Sequence, residues 1–459
     1  VRRNKPDFRI LMRILPTISA FLGLWIVLPA SSPLWGVAPP SLQQRIDALP
    51  AGFTLKLEPG IHRGPIVIEK ALVLDGQGEA VIDGLGKGSV ISIRADGVTL
   101  RGLSIIHSGS SHDSIDSGIS VKSSRNIIRD NIIRDTLFGI DLWESHENVI
   151  EGNEISSKPV ELGMRGDGIR AWASNGNLFR KNQIHDSRDM IVWYSYNNRI
   201  EDNQGWNNRY SLHFMYTGAN TVRNNRYWDN MVGIFLMYSK DSLIEENHIR
   251  HSIGPSGMGI GMKEVDNMRI LKNTIVYCNS GIYLDQSPHD PLTFNLLLGN
   301  TLAFNVQGLV FHSSLKQNVI KGNAMLANLE PVAVHAKGSA VKNHWEGNFW
   351  SDYEGFDRDR NGYGDRSYQS LVYFEQLWMN DPWMKFFYGS PVISMLNLLA
   401  KIAPISKPRL LLTDPQPLFE KNESLRLSET NLAFEIPELD EEDLEDEEDW
   451  EEEDAQDEA

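Results

Sequence analysis

In the stretch RYSLHFMY, His213 and Met215 stand two residues apart, and Met237 follows in GIFLMYS. On β-strands, residues i and i+2 project from one face. An imidazole beside two thioethers is a soft donor set, suited to Cu(I) far more than to zinc or calcium. The plainer reading of the same residues is methionines padding a protein interface. His312 and His335 lie farther along the chain and could form a second station of this kind. A harder chemistry is spelled by DRDRNGYGD, where Asp357, Asp359, Asn361 and Asp365, with the carbonyl of Tyr363, have the oxygen-donor spacing of a calcium loop. Tyr368 stands where an EF-hand needs its bidentate Glu, so the loop is either a shorter calcium loop or an Asx-rich turn without metal.

Acid–base chemistry has its own candidates. A polysaccharide lyase or epimerase needs a proton-transfer pair on a groove, and Asp141, Arg170 and His213 are the residues that could serve, although Asp141 and Arg170 read equally as an ion pair. Trp143, Trp172 and Trp193 form a tryptophan series on which sugar rings could stack, or which a loop or partner protein would cover. Ser287-Pro288-His289-Asp290 resembles the D-P-H-E catalytic motif of alginate epimerases, with serine in place of the first aspartate. The sequence contains no phosphate loop, G-x-S-x-G elbow or H-E-x-x-H zinc motif. Arg165-Gly166-Asp167 reads as a turn. Cys278 is the single cysteine, which excludes an intrachain disulfide and cysteine-based zinc sites, and it reads as a small buried apolar side chain.

The elements that must position these residues are written in a repeat. NIIRDN, NVIEGN, NLFRKN, NRIEDN, NTVRNN, SLIEEN, MRILKN, NLLLGN, NVIKGN and NHWEGN end on asparagines 131, 153, 182, 203, 225, 247, 273, 300, 323 and 348. Most steps are roughly 22 residues, and a second phrase, as in GIDLW, GIFLM, GIGMK, GIYLD and GLVFH, precedes many copies. Apolar residues alternate with period two, which excludes helical repeats, and the leucine-rich repeat pattern is absent. The expectation is an all-β, right-handed parallel β-helix of about twelve or thirteen coils, each about 4.8 Å along the axis, with stacked asparagine amides at turns where asparagine tolerates left-handed backbone. In this frame Ile140, Ile169, Met190, Leu212, Ile234, Ile260 and Ile282 line the core. Asp141, Arg170, Ile191, His213, Phe235, Gly261 and Tyr283 form one outward column. Trp143, Trp172, Trp193, Met215, Met237, Lys263 and Asp285 form the other.

The flanks differ from this body. Arg2, Arg3, Lys5, Arg9 and Arg13 precede the apolar run ILPTISAFLGLWIVL, the pattern of an export signal. Residues 1–38 therefore read as a signal peptide or uncleaved anchor, and residues 39–368 as the β-helix domain. Residues 369–419 read as a helical or extended segment that caps the open end or docks on a membrane partner, and 420–459 as an acidic disordered tail. The net charge of −17 is concentrated there: residues 438–459 hold sixteen Asp and Glu and no Lys or Arg, and without them the charge is −1. Such a body gives no reason to expect nucleic acid as a partner.

LEPGIHRGPIVIEKALVLDGQGEAVIDG, RGDGIRAW, RYSLHFMY, GIFLMYS, GIGMKE and GNFWSDYEGFD occur in the order seen in NosD proteins, and the resemblance spans about residues 40 to 419. The NosD resemblance implies a periplasmic, non-enzymatic β-helix subunit docked on an ABC transporter, that is, a permease with its ATPase. It further implies copper received from a carrier lipoprotein and supplied to nitrous oxide reductase during maturation. Residues 391–403 would then face the permease. The acidic tail departs from the family pattern.

Overall fold

In the computed structural model, residues 40–314, 316–372, 390–392, 395, 399 and 409–420 are described. The chain divides into Val1–Pro40 and Ser41–Ala459. The signal or anchor segment, most of the 391–403 segment and the acidic tail lie outside the described residues. Among the described residues, no helix is long and apolar enough to cross a membrane.

Residues 54–350 wind into a parallel β-helix of about thirteen coils. Each coil lays one strand on each of three faces. The first face runs from Thr54–Lys56 to His344–Glu346 and the second from Gly60–Arg63 to Phe349–Trp350. The third face holds twelve strands, from Ile66–Ile68 to Glu330–His335. Every strand pairs in parallel with the same strand of the next coil, as where Ile140 meets Ile169, or Leu212 meets Ile234. The predicted core column is buried throughout, from Ile140 to Ile282. Period-two alternation produces this result because one residue in two must face the inside of a closed coil.

Asparagine amides bind the coils together. The Nδ2 of Asn203 donates to Oδ1 of Asn225 at 3.0 Å, and Asn225 in turn to Asn247 at 2.9 Å. Each Asn Oδ1 also accepts the backbone N–H of its neighbour, so these buried polar groups are satisfied between coils. The left-handed residue is not the asparagine, as expected from sequence, but the one before it: Asp130, Lys181, Asp202, Asn224 and Glu246 all have φ near +55°. The turn is made first, and the asparagine then points inward with ordinary backbone. A second ladder joins Asn126, Asn148, Asn177, Asn198 and Asn220.

Both ends of the solenoid are closed. The helix Leu42–Ala48 has a Ser41–Gln44 capping box and buries Leu42 and Ile46 at the first coils. At the other end Tyr368–Val372 and Arg409–Asp414 form an antiparallel pair. There Asp414 ends the asparagine ladder. Its carboxylate accepts from Asn348 Nδ2 and Asn348 N, each at 2.9 Å, and from Trp350 Nε1 at 3.2 Å.

Candidate metal centre and its aromatic surround

His213 lies in the strand Tyr210–Met215 and Met237 in Val232–Met237, neighbours on the third face. The preceding strand Asp189–Trp193 pairs with Tyr210–Met215 through an irregular register: Asp189 meets Tyr210, but Ile191 meets His213. One extra residue in the later strand is a bulge, a device that re-aims side chains. Here it leaves the Asp189 carboxylate 3.4 Å from His213 Nδ1. The other ring nitrogen, Nε2, lies 3.3 Å from the Met237 sulfur. Nitrogen and sulfur donors on one metal ion, with bonds of about 2.0 and 2.3 Å, stand about 3.5 Å apart, so the observed separation is of the size two donors to one ion would have.

The surround holds the imidazole in place. Tyr210 meets it edge-on at 5.1 Å and Phe235 stacks on it at 6.0 Å. Asp189 is gripped by Arg209 through two hydrogen bonds. Burial pushes the Asp189 carboxyl up, but hydrogen bonds and charge from His213 and Arg209 outweigh it and hold it below the usual carboxylate range. Asp167, paired with Arg188 at 2.9 Å, is pushed the other way, by its own burial and by the charge of Asp189. Asp167, Arg188, Asp189 and Arg209 thus alternate in sign toward His213. The sequence columns did not reveal Asp189 and Arg209 as its supports. Their signal lies in the unequal spacing of SRDMIVW and NRYSLHFM, where one strand carries an extra residue.

Met215 faces the same side as His213 and pairs in register with Trp193 and Met237. The contact to His213, however, is made by Met237. His312 and His335 are register neighbours in the same column. Lys263 and Asp285 intervene between them and Met237, joined at 3.3 Å, and His312 binds Asp285 at 3.0 Å. They stand apart from the His213–Met237 pair.

Asp141 and Arg170 form an ion pair at 2.8 Å, with both side chains at least nine-tenths buried. Burial raises the Asp141 carboxyl pKa despite Arg170. The Arg170 guanidinium lies over Trp143 and Trp172, 5.4 and 5.1 Å from their rings. The tryptophans of the outward column differ in exposure: Trp143 is 37% exposed, while Trp172 and Trp193 are half-buried. Trp143 and Trp172 stack at 5.5 Å and 7°, so their faces meet each other. Beside them Tyr194, Tyr216 and Tyr238 stack on successive coils at 5.2 and 4.8 Å, which makes a continuous aromatic surface next to the His–Met pair.

Other motifs resolve locally. Backbone N–H groups of His289 and Asp290 both donate to Asp266 at 2.8 Å, in a loop after the strand that ends at Asp285. Arg165 and Asp167 are consumed by internal bonds, to Val160 and Arg188. Cys278 is buried, and burial pushes its thiol up to about 11. In the candidate calcium loop, oxygens of Asp357, Asp359 and Asp365 lie within 4.8 Å of one another. The same carboxylates accept backbone N–H groups: Gly362 to Asp357 at 3.0 Å, and Arg358 to Asp365 at 3.1 Å. Tyr363 bridges Leu418, so the loop is tied to the segment that follows the closing strand pair.

Residues 158–355 match the family described as "Periplasmic copper-binding protein (NosD)". A "Probable ABC transporter binding protein NosD" of Pseudomonas aeruginosa is 30% identical over 366 residues, covering 76% of this chain and 84% of that one. A protein of the same description from Stutzerimonas stutzeri is 27% identical over 376 residues, covering 77% and 84%. Solved structures with similar coils include a periplasmic alginate epimerase AlgG double mutant, at TM-score 0.42 and 14% identity over 65% of this chain and 82% of that one. An alginate lyase AlyF-OU02 complex reaches TM-score 0.48 at 11% identity over 67% and 82%. With 30% identity to that Pseudomonas aeruginosa relative over an alignment that spans most of both lengths, the chain belongs to the NosD family.

Proposed function

We propose that this chain is a periplasmic, non-catalytic β-helix accessory protein that handles Cu(I) together with an ABC transporter, a permease and its ATPase. It receives copper from a carrier lipoprotein and passes it toward nitrous oxide reductase or a related copper enzyme. His213 and Met237 are the copper donors, with Met215 beside them as a third. The observation that carries this reading is the 3.3 Å approach of His213 Nε2 to the Met237 sulfur, with Nδ1 turned to Asp189. A carboxylate behind a histidine sets which nitrogen is presented outward, and a nitrogen–thioether pair selects a soft ion. The family description and the names of the two relatives agree with copper and a transporter as cargo and partner.

The tryptophans and stacked tyrosines serve this site as a docking surface. The alternative, a carbohydrate-binding or polysaccharide-modifying face, needs free ring faces for sugars, whereas Trp143 and Trp172 cover each other. The apolar segment 391–403 is assigned to the permease, and the 357–365 loop to structural calcium at the end of the coils.

Anaerobic Cu(I) titration against a competing chelator tests the site. The chain should bind Cu(I), and the His213→Ala/Met215→Ala/Met237→Ala variant should lose it. Unchanged stoichiometry and affinity in that variant would remove the site. Turnover of an anionic polysaccharide would instead bring back the carbohydrate reading.

A further inference from the structure

The second face carries a feature independent of the copper reading. Over the strands Arg226–Trp228 and His248–Arg250 lies a hollow of about 520 Å³, lined by Gln204, Arg226, Trp228, His248, Arg250 and Thr274. Arg226 and His248 are register neighbours, and Arg250 follows on the strand of His248. All three are exposed, and among the described residues none has a carboxylate partner, whereas Arg199, Arg209 and Arg223 on the nearby strands and turns are paired with Glu201, Asp189 and Glu245. Asp202 and Glu246 border an adjoining hollow, and Glu246 is engaged by Arg223 at 3.3 Å. Along the wall His185, Trp206 and Trp228 stack at 4.5 and 4.9 Å, and Arg250 closes the stack 6.0 Å from Trp228. With ring faces covered on both sides, the wall offers edges and cations, which suits carboxylates and not sugar rings.

The chain supplies its own carboxylates. Leu418 donates its N–H to Asn348 O at 3.0 Å and bridges Phe349. Phe349 belongs to the same outward column as Arg226 and His248, through Thr274, Thr301 and Ala324. The path toward residues 438–459 therefore leaves from this face, four coils or about 19 Å from His248 at about 4.8 Å per coil. Seventeen residues, 421–437, separate the described chain from the acidic block, and extended they span up to about 55–60 Å. We infer that the acidic segment 438–459 docks in cis on the Arg226–His248–Arg250 cleft. The segment has sixteen acidic residues and no basic one, and Trp450 at its centre supplies an apolar contact for the aromatic wall.

The test uses the full chain with Ala455→Cys carrying a fluorophore; Cys278 is buried and stays unlabelled. Fluorescence anisotropy at about 20 mM salt should be at least twofold above that at about 500 mM, because exposed charge pairs are screened. Adding Arg226→Ser, His248→Ser and Arg250→Ser should bring the low-salt value down to the high-salt one, with an unchanged circular dichroism melt since all three side chains are exposed. Arg250→Gln alone should lower it in part. Equal low-salt anisotropy with and without the three cations would overturn the inference. So would a signal that disappears on dilution, which would put the tail on another copy.

Discussion

At the scale of residues, the copper reading depends on two contacts of one imidazole. His213 presents Nε2 to Met237 because Asp189 holds Nδ1 and Arg209 holds Asp189. Removing the carboxylate's charge should loosen that choice while leaving both donors present. Asp189→Asn is expected to weaken Cu(I) binding by about 10–100-fold, the usual cost of losing such a support, and Met237→Ala by at least as much. Chelator competition measures both, and equal affinities in Asp189→Asn and the parent would show that the support is irrelevant. A different carboxylate sets a pH dependence. Burial pushes Asp75 up, but the Gln77 N–H and Arg101 at 2.8 Å outweigh it and lower its pKa. A depressed folded-state pKa stabilises the fold above the unfolded value of about 3.9 and loses that contribution as pH falls through the folded value. Asp75→Asn should cost about 1–2 kcal/mol at pH 7, and urea melts should find the difference shrinking below about pH 4.

Elements matter most at the closing end. Asp414 is fully buried and takes over the acceptor role that the next asparagine would have filled. Asp414→Ala removes the acceptor of the Asn348 backbone N–H and of Trp350 Nε1 and leaves the Asn348 amide only its bond to Ile320 O, at about 1–3 kcal/mol for each unsatisfied group. In a solenoid each coil contacts only its neighbours, so damage at one end stays local. Hydrogen exchange should quicken at residues 344–350 and 409–414 and remain unchanged near residue 100. Uniform acceleration along the chain would contradict this. The acidic loop 357–365 lies at the same end, tied in by the Tyr363–Leu418 bridge. Millimolar calcium should raise the melting temperature of the parent and slow exchange across 349–370, with no such effect in Asp357→Ala/Asp359→Ala. Identical melts with calcium and with chelator would leave the loop as a hydrogen-bonded turn, held by contacts such as Gly362 N–H to Asp357.

For the whole molecule, the third face acts as a unit: soft donors, half-buried indoles and stacked tyrosines share consecutive coils. Tyr194 and Tyr216 are 43% and 39% exposed, and buried aromatic anchors dominate protein interfaces. Trp143→Ala with Tyr216→Ala should lower affinity for the copper-delivering or copper-receiving partner at least tenfold, while Cu(I) affinity of the chain alone stays within about twofold. Surface plasmon resonance and chelator competition separate the two effects. Loss of copper binding in that variant would mean that the aromatic surface forms part of the metal site and is not a dock.

The coil, its inward isoleucine column and the alignment of Met215 with Met237 are legible in the residues alone, because a period near 22 and an alternation of two are local properties of the chain. The turn geometry was half legible: asparagine marked the corner, but the left-handed residue is the one before it. Which side chains touch is set by the folded coils. Arg170 lies across two tryptophans, Asp414 closes a ladder from 66 residues away, and Asp189 reaches His213 through a one-residue bulge. Column alignment assumes equal strands, whereas the site was made where one strand is longer than its neighbour. The physical reason is that register in a parallel ladder is settled coil against coil, by hydrogen bonds that no single repeat contains.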